Sequence, residues 1–285
     1  MILEIAIGDA YGAGFEFSSR EKISRHNTLN GFVAHDLGIP AGHYTDDTQM
    51  TLAIAEVLLG GAEWSTQVFA DAFVRCYKRD PRPGYAKGLQ ALLEQCVDGT
   101  SLRENIRPQS RRNGAAMRAV PLGLIADIER LQEAARAQAV VTHDTPEGII
   151  SAQIVALMAH VLLYERAALR DIPKLVERHT AFVLANDWNA EVECDAVQTL
   201  HAVNTILLRN RRLSNLLVDA VNLGGDVDSV AAIAMGLASS SQEYTHDIPA
   251  QLVDDLEDGP YGRRFLQSID ASLQERFDVL RFSAQ

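Results

Sequence analysis

Three observations predict an all-α protein. Seven segments carry apolar residues three or four positions apart, many of them stop at Gly or before Pro, and alternating strand-like runs are missing. Val33 and the pair Val140 and Val141 are too short to seed a sheet. No Ser-, Gly- or Pro-rich linker divides the chain, and no repeat with a period of about 20 to 50 residues is found. The expected architecture is one compact domain over residues 1–285, with about ten helices and function carried on the loops that join them.

The chain opens with a short helix-like run, MILEIAI. GDAYGAGFEF follows, from Gly8 to Phe17, where three glycines, Asp9 and Glu16 read as a tight turn that brings the backbone close to another group. TDDTQMTLAIAEVLL begins the next helix: Met50, Ile54, Val57 and Leu58 make one apolar face, and Asp46 followed by Gln49 has the spacing of a capping box. STQVFADAFVRCYKRD, GYAKGLQALLEQCV and TPEGIISAQIVALMAHVLLYERA continue the helical period, then IPKLVERHTAFVLAN, CDAVQTLHAVNTILLRN and RLSNLLVDAVNLGG. Gly224 and Gly225 end the last of these, Asp226 and Asp228 take alternate positions in a turn, and Ser229 opens a further helix. That helix is built of Ala231, Ala232, Ala234, Gly236 and Ala238, small enough to pack backbone to backbone in the interior.

A hydrophobic content of 47% is enough for a sizeable core. No apolar run reaches the roughly 18 to 20 residues needed to span a bilayer, and MILEIAIGDAYG lacks the basic start and cleavage site of a signal peptide. A soluble, cytoplasmic, monomeric protein without a membrane partner is expected. Cys76, Cys96 and Cys194 have no CxxC spacing, so they indicate neither a disulfide framework nor a zinc site and are expected to be buried thiols. The net charge of −12 argues against a nucleic-acid surface, RPQSRRNG being the one dense basic stretch.

Acidic balance ordinarily means solubility, but two helix starts carry more carboxylate than solubility or capping needs. One acid caps a helix; Asp46 and Asp47 are adjacent, repel each other, and stand between the hydroxyls of Thr45 and Thr48. Asp226, Asp228 and Ser229 repeat the pattern at the start of the small-residue helix, where buried carboxylates without a counter-ion would be costly. Clustered hard oxygen ligands with excess negative charge suit a divalent cation such as Mg²⁺ or Mn²⁺, and the positive ends of two helices help to keep the acids ionised.

GDAYGAGFE, TDDTQMTLA, NGAAMRAVPLG with VTHDTPEGI, and NLGGDVDSVAAIAMG together resemble, in order, the motifs of the ADP-ribosylglycohydrolase family, of the dinitrogenase-reductase-activating type. The resemblance extends from about Gly8 to Gly236 and rests on the two acidic motifs above all. It implies an all-α orthogonal helical bundle with two divalent cations, Mg²⁺ or Mn²⁺, at the base of a cleft. It implies Thr45, Asp46, Asp47, Asp226, Asp228 and Ser229 as ligands, and Glu16 on a loop over the cleft. It further implies Ser110, Asn113 and Gly114 as a diphosphate-binding loop aided by Arg111 and Arg112, and His143 near the adenosine side. Ser229 departs from a usual Thr, Arg112 from a usual small residue, and no acid follows Tyr85 to orient a guanidinium.

The function implied is hydrolysis of ADP-ribose from modified protein side chains, with ADP-ribose as product and ADP-ribosyl-arginine as the expected linkage. The oxocarbenium-like character of such a cleavage calls for an activated water and a carboxylate base, Glu16, Asp46 or Asp47. Alternatives are an O-linked serine or small-molecule ADP-ribose substrate, a relative that binds ADP-ribose without turnover, and a phosphoester or diphosphate hydrolase built on the same paired metals.

Overall fold

A computed structural model of the chain describes residues 1–277. Among the described residues there are fourteen α-helices: α1 (Ile2–Ala13), α2 (Arg20–His26), α3 (Asp46–Gly60), α4 (Thr66–Arg79), α5 (Lys87–Gln95), α6 (Gly99–Asn105), α7 (Ile128–Ala139), α8 (Pro146–Leu163), α9 (Ile172–Thr180), α10 (Ala196–Arg209), α11 (Leu213–Leu223), α12 (Val227–Ser239), α13 (Ala250–Asp254) and α14 (Arg263–Arg276). Three 3₁₀ segments, Asn113–Ala115, Val120–Leu124 and Leu169–Asp171, complete the regular structure. Among the described residues extended pairing is limited to isolated bridges such as Gln109 with His143, so the all-α expectation holds. The helices beyond the expected number include α2, α6 and α13, of five to seven residues, too short to show a helical period.

Several helix starts follow local chemistry. Ser19, Ser65, Asp98, Asp127, Thr145 and Asp195 each accept a hydrogen bond from a backbone N–H of the first turn of α2, α4, α6, α7, α8 and α10, and Pro146 opens α8 where no N–H is required. α8 corrects the expectation that no apolar run is long enough to span a bilayer. It has 18 residues at a mean hydropathy of 1.5, but 72% of it is buried inside the fold. Its polar groups are satisfied there: the Ser151 hydroxyl donates to the Gly148 carbonyl at 3.0 Å, and His160 Nδ1 lies 3.0 Å from the Ile125 carbonyl. It is a core helix, packed against α7, α9 and the Val120–Leu124 segment.

The Gly-rich stretch after MILEIAI is a turn only in its second half, residues 14–17. α1 continues through Gly8 and Gly12 to Ala13, and nearly all of it is buried. Gly8 and Gly12, one turn apart, face α12. A methyl group at Gly8 would lie 2.6 Å from the Ala231 carbonyl oxygen, and one at Gly12 would collide with the Asp228 backbone. Gly8 and Gly12 are sites of close backbone approach, as their composition predicts, and the approach is between two helices. The small side chains of α12 are its other half.

Two long-range contacts fix α1 at its ends. Asp270 of α14 accepts hydrogen bonds from the backbone N–H groups of Ile2 and Leu3 at 2.9 and 3.0 Å, capping α1 from another helix. Beyond Ala13 the chain turns at Phe17, whose φ is 48° and whose N–H donates to the Gly225 carbonyl at 2.8 Å, tying it to the approach to α12. Gly8→Ala is therefore expected to destabilise the protein by about 1–3 kcal/mol through overpacking. Gly60→Ala, where nothing lies within 4 Å, should stay within about 0.5 kcal/mol of the parent. Urea unfolding of the two variants checks this; equal midpoints would contradict the close-approach reading.

Candidate active site

The start of α3 is organised by a residue outside it. Asp9, fully buried in α1, accepts four hydrogen bonds: from the backbone N–H groups of Thr45 and Thr48, each at 2.9 Å, and from their hydroxyls at 2.8 and 2.6 Å. It thus does the work of an N-cap for α3 from a neighbouring helix. The Asp46 to Gln49 capping box expected from the spacing is not formed. Thr45 is the N-cap residue, and Gln49 donates to the Asp80 carbonyl at 2.5 Å and accepts from the Tyr85 hydroxyl at 2.7 Å. Because Asp9 takes over the cap, the carboxylates of Asp46 and Asp47 are free for another task. The loop at Gly84, with φ of 107°, presses on Asp46 so closely that a methyl group there would collide with its carboxylate. Thr45 is 1% exposed and spends its one proton on Asp9.

The helix of the second corner starts two residues earlier than the sequence suggests, at Val227 and not Ser229. α11 ends at Leu223, Gly224 and Gly225 follow with positive φ, and α12 begins at Val227, so Asp226 is its N-cap and both Asp228 and Ser229 lie in its first turn. The Asp226 N–H donates to the Val192 carbonyl at 2.7 Å. Carboxylate oxygens of Glu16, Asp226 and Asp228 come within 4.8 Å of one another. Asn113 donates to Asp226 Oδ2 at 2.6 Å and to the Thr199 hydroxyl at 3.0 Å. One amide hydrogen is therefore committed to Asp226 and the other to Thr199, and its side chain has no donor left for a diphosphate.

These groups share a cavity of about 560 Å³, within the size range of small-molecule sites. Its lining includes the carboxylates of Glu16, Asp46, Asp47, Asp226 and Asp228 with Ser229; an apolar set of Met50, Leu89, Leu92, Ile106 and Met117; and a polar set that includes Arg107, Ser110, Arg112, Asn113, Gly114, Thr142 and His143. Thr45 is not part of the lining. The Ser110 loop is held from both sides: its carbonyl accepts from the Thr145 hydroxyl at 2.8 Å, and Arg112 bridges to Asp195. Arg112 reaches the cavity, whereas Arg111 pairs with Glu147 at 2.9 Å and is not among the lining residues. His143 packs its ring against Gly114. Burial, with Arg118 and Arg112 nearby, pushes its pKa down to about 3, so it is neutral.

Residues 2–281 match the family described as ADP-ribosylglycohydrolase. The chain belongs to this family. It is thereby a hydrolase, and its relatives extend along most of its length. It is 27% identical over 283 residues to ADP-ribosyl-(dinitrogen reductase) glycohydrolase of Rhodospirillum rubrum, covering 95% of this chain and 93% of that protein. It is 24% identical over 274 residues to ADP-ribosylarginine hydrolase Tri1 of Serratia proteamaculans, covering 90% of this chain and 74% of that one. A solved structure of an ADP-ribosylglycohydrolase-related protein complex superposes with a TM-score of 0.76 at 25% identity, over 96% of this chain and 95% of the other.

Asp9, buried outside the lining, and three residues that line this glycohydrolase cavity, Arg118, Cys194 and Arg107, have roles that the sequence motifs do not assign. Asp9 sat inside a motif taken for a turn. Arg118, in NGAAMR, is fully buried beneath the site: Nε donates to Gln138 Oε1 at 2.5 Å, Nη2 donates to the Thr142 hydroxyl at 2.8 Å, and the guanidinium lies 4.2 Å from the Phe73 ring centre. Burial lowers its pKa to about 9 while Tyr85 and Asp46 oppose the shift, so it stays charged at neutral pH. Cys194 lines the cavity and is not fully buried, unlike Cys76 and Cys96. Burial and then Asp226 push its thiol up to about 12. Arg107 joins Arg112 at the cavity; membership of RPQSRRNG was its one signal.

The glycohydrolase's acids are held against their own chemistry. Burial, then repulsion from Asp226 and Asp9, raises Glu16 to about 7. Asp46 and Asp47 are raised well above the usual carboxylate range by burial and then by Asp9, and Asp228 by burial and then by Glu16. Asp47 Oδ1 is buried with no hydrogen-bond partner. An orphaned carboxylate oxygen among mutually repelling acids, with oxygen donors throughout, fits a hard divalent cation. An acid with a raised folded pKa adds stability fully present below its ordinary value, 4.5 for Glu16, and lost as pH rises through about 7. The neutral His143 runs the other way, so metal-free stability alone mixes the two. The rise in Tm on adding Mn²⁺ to chelator-treated protein isolates the acids: it should grow from about pH 5 to about pH 7.5 as protons leave the ligands. A constant rise, or none, would contradict the fit.

Proposed function

We propose that this chain is a hydrolase dependent on two divalent cations, Mg²⁺ or Mn²⁺, that removes ADP-ribose from a modified arginine side chain of a protein. The observation that carries the reading is the meeting of Glu16, Asp46, Asp47, Asp226 and Asp228 in one ligand-sized cavity with an orphaned carboxylate oxygen among them. Asp46, Asp47, Asp226, Asp228 and Ser229 would hold the cations, with Thr45 contributing a hydroxyl whose proton already points at Asp9. When bound, the cations supply Lewis acidity toward water and the ribose hydroxyls.

The chain's own groups account for the rest of the chemistry. The ring of carboxylates favours positive charge developing at the anomeric carbon as the glycosidic bond lengthens. Glu16, less buried than the aspartates and with a pKa near 7, is the carboxyl best matched to accept a proton at neutral pH. Backbone groups of the Ser110 to Gly114 loop, with Arg107 and Arg112, supply a cationic rim for a diphosphate, and neutral His143 offers a ring nitrogen beside it. The arginine linkage draws on the Serratia relative, an ADP-ribosylarginine hydrolase, and the protein nature of the substrate on the Rhodospirillum relative, which acts on ADP-ribosyl-(dinitrogen reductase).

An O-linked serine substrate is the second reading, favoured by one feature: the lining residues after Tyr85 are Ala86, Gly88 and Leu89, with no carboxylate to pair a guanidinium there. Matched peptides ADP-ribosylated at Arg or at Ser, incubated with Mg²⁺ or Mn²⁺ and followed by mass spectrometry of free ADP-ribose, separate the two. Preferential release from the arginine peptide is expected, falling by at least roughly a hundredfold in Asp47→Asn. Preference for the serine peptide would overturn the linkage, and no release from either would overturn hydrolysis.

A further inference from the structure

Glu16 is fixed by more than its neighbours in the acidic cluster. Its backbone sits between the end of α1 and the left-handed Phe17, and its side chain meets His35 from the loop before α3, with Nε2 3.0 Å from Glu16 Oε2. His35 is 8% exposed, and it is itself held tightly. Its N–H donates to the Ile39 carbonyl at 3.0 Å, its carbonyl accepts from the Gly38 N–H at 2.9 Å, and its ring Nδ1 accepts from the Leu37 N–H at 2.8 Å.

That last bond decides the tautomer. A ring nitrogen that accepts from a backbone N–H carries no proton, so the neutral imidazole must carry its proton on Nε2. Nε2 can then only donate, and its acceptor is the Glu16 carboxylate. The segment leading into His35 is pressed onto the end of α1, where a methyl group at Gly14 would collide with the Val33 carbonyl, so the ring cannot withdraw without moving the loop.

We propose that His35 is a positioning residue for Glu16: a backbone-locked imidazole whose Nε2 proton ties Oε2 and leaves the other carboxylate oxygen to the active site. The inference rests on the reading of Glu16 as an active-site base. The arrangement follows the logic of a carboxylate and imidazole held by a third group, with the Leu37 N–H as that third group.

Two measurements test it. In ¹⁵N-detected ring spectra of the intact protein, His35 should show the Nε2–H tautomer at neutral pH; an Nδ1–H tautomer would overturn the proposal whatever the activity. In kinetics, His35→Ala should lower kcat roughly tenfold or more with little change in KM. His35→Gln, whose amide nitrogen can stand in for Nε2, should recover most of the loss, and His35→Asn, whose shorter side chain cannot reach, should not. In a Glu16→Gln background His35→Ala should cost almost nothing further, because the pair acts as one unit. Additive losses at matched thermal stability would show a merely structural role and overturn the proposal. Loss of ADP-ribose release in Asp47→Asn tests the underlying reading separately, so an additive cycle alongside that loss removes His35 and leaves the hydrolase.

Discussion

The site depends on one side chain capping a helix it does not belong to. Asp9 reaches from α1 to the start of α3 and satisfies the N–H groups and hydroxyls of Thr45 and Thr48. That leaves Asp46 and Asp47 without a capping duty at a point where two otherwise unsatisfied N–H groups and a helix dipole would have claimed one of them. The same α1 lies against α12 through Gly8 and Gly12, and the backbone it touches at Gly12 is that of Asp228. Glu16 then follows within three residues of its end. One helix therefore sets the position of all three acidic elements, and Asp270 of α14 sets the position of that helix in turn.

This economy has an electrostatic cost. Carboxyls are brought together in the interior, where burial and mutual repulsion raise the pKa of Asp46, Asp47, Asp228 and Glu16. The fold opposes the repulsion with rigid supports that carry their own bonds. Asn113 holds Asp226, the Gly84 loop closes on Asp46, and Arg118 remains charged beneath the cluster. Arg82 anchors that loop from the other side, pairing with Asp80 and Glu257 while stacking 3.5 Å from the Tyr44 ring centre. Such supports would keep the repelling carboxylates at a fixed spacing for the proposed cations.

Much of this was legible in the sequence, for identifiable reasons. The helical period is strong wherever a helix is long and one-sided, as in α4 and α10, and doubled acids at two helix starts are too costly to be surface decoration. What stayed hidden depended on partners far along the chain. Gly8 and Gly12 signal close approach whether in a turn or a helix, and the sequence cannot say what approaches; here it is a helix more than two hundred positions away. Asp46 and Gln49 have capping-box spacing, but Asp9 fills the role first, so the local rule yields to a tertiary contact. Asn113 looks like a ligand group until its distance to Asp226 is known, and His35 lies in a loop with no periodic or motif signal at all.

The central claim is that α1 acts as the spacer holding the two carboxylate corners at cation distance. Gly12→Ala tests it most directly, because the added methyl group meets the Asp228 backbone and must push α12 away from α1. Titration calorimetry with Mn²⁺ on the parent and on this variant, with helical content checked by circular dichroism, is the measurement. The account predicts a folded helical variant that binds Mn²⁺ at least roughly tenfold more weakly than the parent. Unchanged affinity in the folded variant, or no Mn²⁺ binding by the parent, would contradict it.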